Sequence, residues 1–237
     1  MKFLDLTLGD PAANLALDEA LLDACDNQSG GEVLRFWEAR DYFVVAGYSN
    51  QVAREVNLPA CRNGNVPVYR RCSGGGTVLQ GPGCLNYSLI LKMDGNDSLQ
   101  TITAANNHIM SRQQNALATL LGRPVQLEGH TDLALDGLKF SGNAQRRKSR
   151  ALIFHGTFLL HFDLTLMEKY LSMPSREPGY RAGRPHRLFL TNLPLSAEAV
   201  KKALQQEWQT ASALQDAPDP RPLLAEKYSR DDWNFKF

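Results

Sequence analysis

Apolar and polar positions recur with two different periods along the chain, and these periods divide it into helices and strands. A spacing near 3.6 residues over 12–26 predicts an amphipathic helix. Apolar runs at 33–38, 42–47 and 85–93 predict strands, the first two joined by a short polar turn at Arg40–Asp41. Shorter elements are expected between them: a helix at 52–58, a loop at 61–65 and a strand at 66–70.

The middle of the chain carries recognisable start and stop signals. Ser98 is placed to cap a long helix that runs to Leu121 and ends at Gly122-Arg123-Pro124. A β-rich block over 125–163 follows, in which Asp136–Gly137 predicts a tight hairpin turn. Its last part, 151–162, is one long apolar strand.

The remaining segments complete an irregular mixture of elements. A short helix is expected at 164–171, and 174–188, rich in Pro, Gly and Arg, is expected to be a mobile loop suited to closing over a ligand. Ser196 is placed to cap a helix to about Ser212. A break at 216–222 and a short terminal element at 223–237 follow. Because strands and helices do not alternate regularly, the predicted fold is α+β with a mixed, mostly antiparallel sheet flanked by helices.

Composition narrows the possible partners and compartments. The 26 basic and 25 acidic residues leave a net charge of +1, so no overall field draws the chain to nucleic acid or to an anionic membrane. No apolar stretch reaches the roughly 20 residues that span a bilayer. The start, Met1–Leu6, indicates a strand rather than a signal peptide. Four cysteines without CxxC spacing indicate reduced thiols in a cytoplasmic protein and give no reason to expect structural zinc.

The segment 70–80, RRCSGGGTVLQ, is the strongest chemical signal. Consecutive glycines remove every Cβ, so the backbone can lie against a ligand and direct its N–H groups toward it. The preceding arginines, Arg70 and Arg71, favour a ligand that is anionic. The structural alternative is a glycine-rich hairpin with two surface arginines.

A second motif lies at 136–147, DGLKFSGNAQRR, where Lys139 sits on a strand between Leu138 and Phe140. Strand alternation places these two apolar neighbours on one face and Lys139 on the other. A lone strand lysine is usually exposed, but an ammonium paired with a glycine loop suits the neutralisation of carboxylate and phosphate charge.

Together, RRxSGGGxV, KxSGxAQRR and the later HGT resemble the catalytic domain of the biotin/lipoate protein ligase superfamily, and the lipoate–protein ligase A family in particular. The resemblance covers roughly residues 3–235. Its motifs are specific in this order and separation, and they comprise Arg70–Arg71, Ser73–Val78, Asn86, Asp132–Leu133, Lys139, Ser141–Gln145 and His155–Thr157.

The resemblance implies a ligase or transferase that uses ATP, Mg²⁺ and lipoate in two steps. Lipoate or octanoate would first attack ATP to give an acyl-adenylate such as lipoyl-AMP, and a lysine of a carrier domain would then take the acyl group. Lys139 would be catalytic, while Arg71, Gly76, Thr77, Val78 and Leu79 would bind the nucleotide. A wider set would line the same site: Arg70, Gly74, Gly75, Asn86, Asp132, Ser141, Gly142, Asn143, Ala144 and His155.

The same resemblance sets expectations for organisation and partners. Residues 1–237 would form one catalytic domain without the accessory C-terminal domain of many such ligases, so that either a separate accessory protein would assist activation or the chain would only transfer from preformed lipoyl-AMP. The acceptors would be lipoyl domains of 2-oxoacid dehydrogenase complexes or a glycine cleavage H-like protein; neither nucleic acid nor membrane is expected. Mg²⁺ would be held through the nucleotide, with Asp132 the one candidate protein ligand. The basic run at 146–150 forms a solvated turn or touches triphosphate or an acidic lipoyl domain.

Several alternatives stay open at this stage. The chain has His130-Thr131 where related ligases often have Arg-Asn, and Gln80 where a histidine often follows the glycine loop. Use of preformed lipoyl-AMP, a thiol-dependent octanoyl transfer through Cys72 or Cys84, and a non-catalytic adenylate binder therefore remain rivals. His155 is expected to be a structural residue rather than a proton shuttle, and Asp132 could simply cap a turn.

For the acyl chain, the residues suggested as walls of an apolar tunnel are Phe36, Trp37, Tyr42, Val44, Val78 and Leu79.

Overall fold

The structure, a computed structural model, describes residues 1–237, and its strands form two separate sheets. The strands are β1 (Lys2–Asp5), β2 (Val33–Trp37), β3 (Phe43–Ala46), β4 (Val68–Arg70), β5 (Val78–Gln80), β6 (Cys84–Lys92), β7 (Gln126–Glu128), β8 (Asp132–Leu135), β9 (Leu138–Arg147), β10 (Ala151–Leu159) and β11 (Ser212–Ala213).

Helices cover both sheets. They are α1 (Pro11–Asp26), α2 (Val52–Glu55), α3 (Leu58–Asn63), α4 (Ile102–Leu121), α5 (Thr165–Tyr170), α6 (His186–Phe189), α7 (Ala197–Glu207), α8 (Arg221–Leu223) and α9 (Asp231–Asn234). Short 3₁₀ turns lie at Asp97–Leu99 and Gly179–Arg181, and a π-helical turn lies at Leu224–Tyr228.

The large sheet has eight strands in the order β11-β1-β2-β6-β10-β9-β8-β7. Only the pairs β1–β11 and β1–β2 are parallel, and the other five are antiparallel. The small sheet has the order β4-β3-β5, with β3 parallel to β4 and antiparallel to β5. This architecture confirms the predicted α+β class with a mostly antiparallel sheet.

The two faces of the large sheet bury different layers. One face packs its aliphatic and aromatic side chains against α4 and α7, and this largest core includes Leu34, Leu89, Phe154 and Phe158. The opposite face packs against α1, where Ile90 and Ile153 meet Leu17 and Leu21. The small sheet, with α2, α3 and α5, covers the rest of that second face. A ligand-sized space remains where the two sheets meet.

The strands predicted as neighbours at 33–38 and 42–47 do not pair with each other. β2 pairs with β6 in the large sheet, whereas β3 pairs with β4 and β5 in the small one. The polar turn at Arg40–Asp41 therefore carries the chain from one sheet to the other, which local hydrophobicity does not distinguish from a hairpin.

Capping residues explain two further boundaries. Ser98 does not begin the long helix; it lies in a 3₁₀ turn, and Thr101 caps α4 by accepting from Ala104 N. At the other end, Gly122 adopts the left-handed conformation that commonly ends helices. Ser196 caps α7 as predicted, although that helix ends at Glu207 rather than near Ser212.

The short helix α3 spans Leu58–Asn63 and so includes the first residues of the segment 61–65 that was predicted to be a loop.

The Asp136–Gly137 turn is confirmed, since both residues have positive φ, as a two-residue hairpin of type I′ requires. None of the helices is both long and apolar enough to span a bilayer.

Candidate active site

A cavity of about 640 Å³ lies between the large sheet and the small sheet. Of the residues predicted for the site, those that line it are Arg71, Gly75, Gly76, Thr77, Val78, Leu79, Asn86, Asp132, Lys139, Ser141, Gly142, Asn143, Ala144 and His155. Arg70 and Gly74 do not. Among the tunnel candidates, Trp37, Val78 and Leu79 line the cavity, but Phe36, Tyr42 and Val44 do not. Phe36 belongs to the core on the opposite face of the sheet, because neighbouring residues on a strand alternate.

The floor of the cavity is one row of registered residues across five strands. Trp37 pairs with Asn86, Asn86 with Thr157, Thr157 with Gly142, and Gly142 with Asp132. Residues in register on adjacent strands project from the same face. The row therefore places an indole, an amide, a hydroxyl, a gap at the glycine and a carboxylate side by side beneath the small sheet.

A β-bulge brings Lys139 to this face. The register of β8 and β9 shifts by one residue, so that Asp132 pairs with Gly142 but Ala134 pairs with Lys139. Without the extra residue, strand alternation would place Lys139 and Gly142 on opposite faces. Bulges commonly redirect a side chain next to functional sites.

The ammonium of Lys139 occupies the space above Gly142. A Cβ built on Gly142 would lie 2.7 Å from Lys139 Nζ, so a side chain there would compete with the ammonium for this space. Lys139 Nζ pairs with Asp132 Oδ1 at 2.9 Å, and the two side chains are 24% and 14% exposed. The lysine thus sits at the cavity wall, held but still accessible to a ligand.

The glycine loop offers unpaired backbone donors. None of the N–H groups of Gly74, Gly75 and Gly76 donates to another backbone carbonyl. Gly75 has φ +85°, a conformation that favours glycine, and the loop packs so closely that a Cβ on Gly47 would lie 2.1 Å from Gly75 O. Such a run of free amides is a common anion-binding feature.

Arg71 holds this loop in shape. Its Nη2 donates to the carbonyls of Gly74 and Gly76 at 2.5 and 2.8 Å, and its Nε donates to Ser73 Oγ at 3.1 Å. Burial lowers the pKa of the guanidinium to about 10. The group is therefore directed at loop carbonyls, and direct nucleotide binding by Arg71 stays a prediction.

Arg70 points away from the cavity and joins the C-terminal segment to the rest of the chain. The side chain is fully buried. Its Nη1 donates to three carbonyls of the 47–50 turn at 2.7 to 3.0 Å, and its Nε and Nη2 donate to Trp233 O and Asn234 O, both at 3.1 Å. The two arginines are adjacent in one motif, but Arg70 ends β4 and Arg71 follows it, and their side chains make contacts on different sides of the chain.

Glu55 links the glycine loop to the segment between α5 and α6. It accepts from Thr77 Oγ1 at 2.6 Å, from Asn50 Nδ2 at 2.5 Å and from Ser175 Oγ at 2.5 Å. Burial acts to raise its pKa, but the three hydrogen bonds outweigh burial and hold the pKa of Glu55 below its usual value.

The segment 172–185, called the cover segment below, closes one side of the cavity. Tyr180 OH donates to Asp132 Oδ2 at 2.9 Å, and Arg184 Nη2 donates to Gly137 O at 3.3 Å. Burial, followed by the charge of Asp132, raises the pKa of Tyr180. The segment predicted to be a mobile loop is therefore hydrogen-bonded to two carboxylates of the cavity, Glu55 and Asp132.

Behind the glycine loop, Ser73, His155 and Asp18 form a buried chain of polar groups. Ser73 Oγ lies 2.5 Å from His155 Nε2, while His155 Nδ1 is 3.7 Å from Asp18 Oδ2. Asp18 also pairs with the buried Arg35 at 2.5 Å. Because Ser73 is fully buried, the arrangement offers no accessible serine nucleophile, and a structural role for His155 stays a prediction.

The four cysteines are buried and free. Burial raises the pKa of both Cys72 and Cys84 to about 12, and neither residue lines the cavity. Both thiols are thus neutral near pH 7, in contrast to an activated cysteine nucleophile. No cluster of three or more His, Cys, Asp and Glu side chains could hold a metal ion, and Asp132 is already engaged by Lys139 and Tyr180.

Two residues of the site carried no signal in the sequence. Glu55 lies on a helix of four residues, where a charged side chain is normally exposed, and its partner Ser175 is 120 positions away. Tyr180 lies in a segment without periodic pattern, and only contact with Asp132 reveals its place.

Comparison with known proteins identifies the family of this fold and cavity. Residues 10–209 match the model of the lipoyl protein ligase A/B catalytic domain. An Aeropyrum pernix protein with the provisional name lipoate-protein ligase A is 31% identical over 216 residues, covering 90% of this chain and 76% of its own length. The octanoyltransferase LipM of Halalkalibacterium halodurans is 26% identical over 276 residues, covering 99% and 98%.

Solved structures show the same fold. A lipoate-protein ligase A bound with ATP superposes with a TM-score of 0.82 at 24% identity, covering 99% of both chains. A bi-partite lipoate protein ligase of Thermoplasma acidophilum, described with its E2 lipoyl domain, gives a TM-score of 0.79 at 24% identity, covering 99% and 96%. The predicted relationship to enzymes of the ligase and transferase classes is confirmed. The chain belongs to the lipoyl protein ligase A/B catalytic domain family.

Proposed function

We propose that this protein activates lipoate or octanoate with ATP to the acyl-adenylate and transfers the acyl group to a lysine of a lipoyl carrier domain. One observation carries the proposal: Lys139 and the glycines Gly75 and Gly76, whose amides donate to no backbone carbonyl, line the same cavity. The relatives named lipoate-protein ligase and the fold shared with an ATP-bound ligase support it.

The chemistry requires charge neutralisation more than a nucleophile. In the first step the substrate carboxylate approaches the α-phosphate of ATP, and pyrophosphate leaves. Lys139 is placed to bridge the acyl carbonyl and the phosphate oxygens, offsetting their repulsion as they meet. Asp132 holds the ammonium at the wall. In the second step the acceptor amine attacks the acyl carbon, AMP leaves, and Lys139 stabilises the departing phosphate charge.

The glycine loop is the proposed phosphate cradle. Gly75 and Gly76 line the cavity with N–H groups that have no backbone acceptor, and Arg71 fixes the loop from behind. Mg²⁺ would be held mainly by the nucleotide, with its usual role of neutralising the leaving pyrophosphate. Thr77, Val78 and Leu79 continue the same edge beside the nucleotide.

The rival thiol route has less support. It needs a cysteine thiolate in contact with the acyl group, whereas Cys72 and Cys84 are buried, of raised pKa and outside the cavity lining. We therefore favour the adenylate route even though octanoyltransferases are among the relatives.

The proposed acceptors are lipoyl domains of 2-oxoacid dehydrogenase complexes or a glycine cleavage H-like protein, and the proposed place of action is the cytoplasm. A T. acidophilum relative described as bi-partite and with an E2 lipoyl domain supports a carrier domain as acceptor. It also motivates the proposal that a separate accessory protein assists activation.

The test mixes the purified chain with ATP, Mg²⁺, lipoate and a lipoyl domain, and follows both pyrophosphate release and mass of the acceptor. Release and acylation together indicate a ligase; acylation only from synthetic lipoyl-AMP indicates a transferase that needs a partner for activation. Lys139→Met should lower transfer about 100-fold or more, in the range measured for loss of one electrostatic donor.

Two results would contradict the proposal. One is near-normal transfer by Lys139→Met with unchanged thermal stability. The other is acylation from octanoyl-carrier protein alone, abolished by Cys72→Ser or Cys84→Ser, which would establish the thiol route instead.

A further inference from the structure

The helix α9 closes the free edge of β4 at Arg70, directly before the glycine loop. Within the small sheet β4 pairs only with β3, so its other edge has no strand beside it. At that edge Asn234 Oδ1 accepts from Arg70 N at 3.0 Å, and Trp233 Nε1 donates to Arg70 O at 2.9 Å. Two side chains of α9 thus satisfy the backbone groups that a further strand would otherwise bind.

The side chain of Arg70 extends this contact from α9 to the 47–50 turn. Its guanidinium donates to the carbonyls of Trp233 and Asn234, and also to three carbonyls of the turn. Asn234 Nδ2 donates to Tyr228 O at 3.0 Å, which orients the amide so that its oxygen faces Arg70 N. Because the donors of a guanidinium have fixed directions, the turn cannot shift relative to α9 without breaking hydrogen bonds.

The 47–50 turn is bonded to both ends of the glycine loop. Tyr48 N donates to Ser73 O at 2.8 Å, before the glycines. Asn50 Nδ2 donates to Thr77 Oγ1 at 3.1 Å, after them. The position of the turn therefore sets the position of both ends of the loop.

The middle of the loop also packs directly on this turn. A Cβ on Gly47 would lie 2.1 Å from Gly75 O, so the two backbones are as close as the absence of a side chain allows. A shift of the turn toward the loop would displace Gly75 and Gly76, which line the cavity with amides that donate to no backbone carbonyl. A continuous set of contacts thus leads from α9 to the proposed phosphate cradle.

We propose that Trp233 and Asn234 are positioning residues for nucleotide binding. Acting through Arg70, they hold the glycine loop in the shape that receives the phosphates of ATP. The inference rests on the proposed function. Neither residue lines the cavity, so their effect on the nucleotide is transmitted by the protein and not by contact.

The experiment measures binding of ATP with Mg²⁺ to the purified full chain by titration calorimetry, at a temperature where circular dichroism shows every variant folded. Trp233→Phe keeps an aromatic ring but removes the N–H that donates to Arg70 O. It should weaken ATP binding about fivefold, within the range for substitutions that act through a packed network. Asn234→Ala leaves Arg70 N without its acceptor and should weaken ATP binding about tenfold.

Binding of lipoate, measured in the same way, separates positioning of the loop from damage to the whole cavity. Since α9 packs against β4 and the 224–228 turn, whereas the cavity floor belongs to the large sheet, lipoate affinity should change less than ATP affinity. Trp233 is only half-buried, so Trp233→Phe keeps the test available if Asn234→Ala folds poorly.

Trp208→Phe is the matched control. Arg112 lies over the Trp208 ring at 4.1 Å, as Lys236 lies over Trp233 at 4.4 Å. The indole N–H of Trp208, however, has no partner within the protein, and the residue belongs to the core on the opposite face of the large sheet. Its substitution should leave ATP affinity unchanged.

Three outcomes would count against the inference. Wild-type ATP affinity in both Trp233→Phe and Asn234→Ala would overturn it and leave the proposed function standing. Weakening of ATP and lipoate by the same factor would also overturn it, because α9 would then support the cavity as a whole. A wild-type chain that binds no ATP would overturn the proposed function together with the inference.

Discussion

The phenol of Tyr180 donates to one oxygen of Asp132 at 2.9 Å, while the other oxygen of that carboxylate pairs with Lys139 at 2.9 Å. The cover segment and the lysine thus share one carboxylate. Removing the phenol frees Asp132 to rotate and leaves Lys139 less well placed. We therefore expect Tyr180→Phe to slow acyl transfer about tenfold, the size expected for a hydrogen bond to a charged group.

A double-mutant cycle separates this coupling from general damage to the fold. In an Asp132→Asn background, Tyr180→Phe should have little additional effect, because the charge that it positions is already absent. Tyr42→Phe, at a tyrosine whose hydroxyl bonds neither Asp132 nor Lys139, serves as the control. Fully additive effects of the two site substitutions would show that Tyr180 does not act through Asp132.

A methyl group at Gly142 should displace the lysine ammonium. The Cβ of Gly142→Ala would lie 2.7 Å from Lys139 Nζ and 2.8 Å from Lys139 Cε, so the side chain must move. We expect transfer to fall about 100-fold, a loss comparable to removing the donor itself. Gly31→Ala, where nothing lies within 4 Å of the new Cβ, should leave transfer unchanged. Turnover close to wild type in Gly142→Ala would mean that the ammonium works from another position.

The position of Lys139 also shows how far sequence alone could go. The glycine run and the lysine motif predicted the glycine loop and Lys139, which line the same cavity. Asp136–Gly137 predicted the hairpin between β8 and β9. The bulge that turns the lysine toward Gly142 was not predictable, because one unpaired residue leaves no mark on the hydrophobic pattern. Strand alternation alone would have placed the ammonium on the wrong side of Gly142.

The contribution of Glu55 to stability should depend on pH. Its pKa in the folded protein is below the ordinary value of 4.5, so its contribution to the free energy of unfolding is fully present above pH 4.5. That contribution is lost as the pH falls below 4.5 through the lower folded pKa. Urea unfolding of wild type and Glu55→Gln should therefore differ most near neutral pH and converge in acid.

Glu226→Gln, at an exposed carboxylate, provides the comparison for the Glu55 experiment. Its unfolding free energy should follow that of the wild type at every pH. A difference between wild type and Glu55→Gln that stays constant down to pH 3 would contradict a depressed pKa at Glu55.

Substitution of Arg70 should act on stability rather than on ligand contact. A lysine cannot supply the separate donors that reach the 47–50 turn, Trp233 and Asn234, so buried carbonyls would lose their partners. We expect Arg70→Lys to lower the free energy of unfolding by about 3 kcal/mol, since each unsatisfied buried group costs about 1–3 kcal/mol.

Hydrogen exchange can locate the effect of Arg70→Lys. Amides of α9 and of the 47–50 turn should exchange faster, whereas Arg54→Lys, at an exposed position, should change neither exchange nor stability. Unaltered protection of α9 in Arg70→Lys would show that Arg70 does not hold the C-terminal segment in place.

Long-range partners account for most of what the sequence did not predict. Arg70 and Arg71 were assigned together to the ligand, because one sequence motif contains both. Only the fold shows that Asn234, 164 positions later, accepts Arg70 while the glycine carbonyls accept Arg71. Local signals such as the Ser196 cap were predictable because donor and acceptor lie three residues apart.

Since the floor of the cavity belongs to one sheet and the opposite wall to the other, its width depends on how the two sheets are spaced. That spacing is set partly by the core in which Val44 and Val68 of the small sheet pack with Cys84 and Leu159 of the large sheet, and neither valine lines the cavity. Substitutions there could widen or narrow the slot while every ligand contact stays chemically the same. Acceptance of bulkier or slimmer acids can therefore be engineered from the core that joins the two sheets, outside the cavity lining.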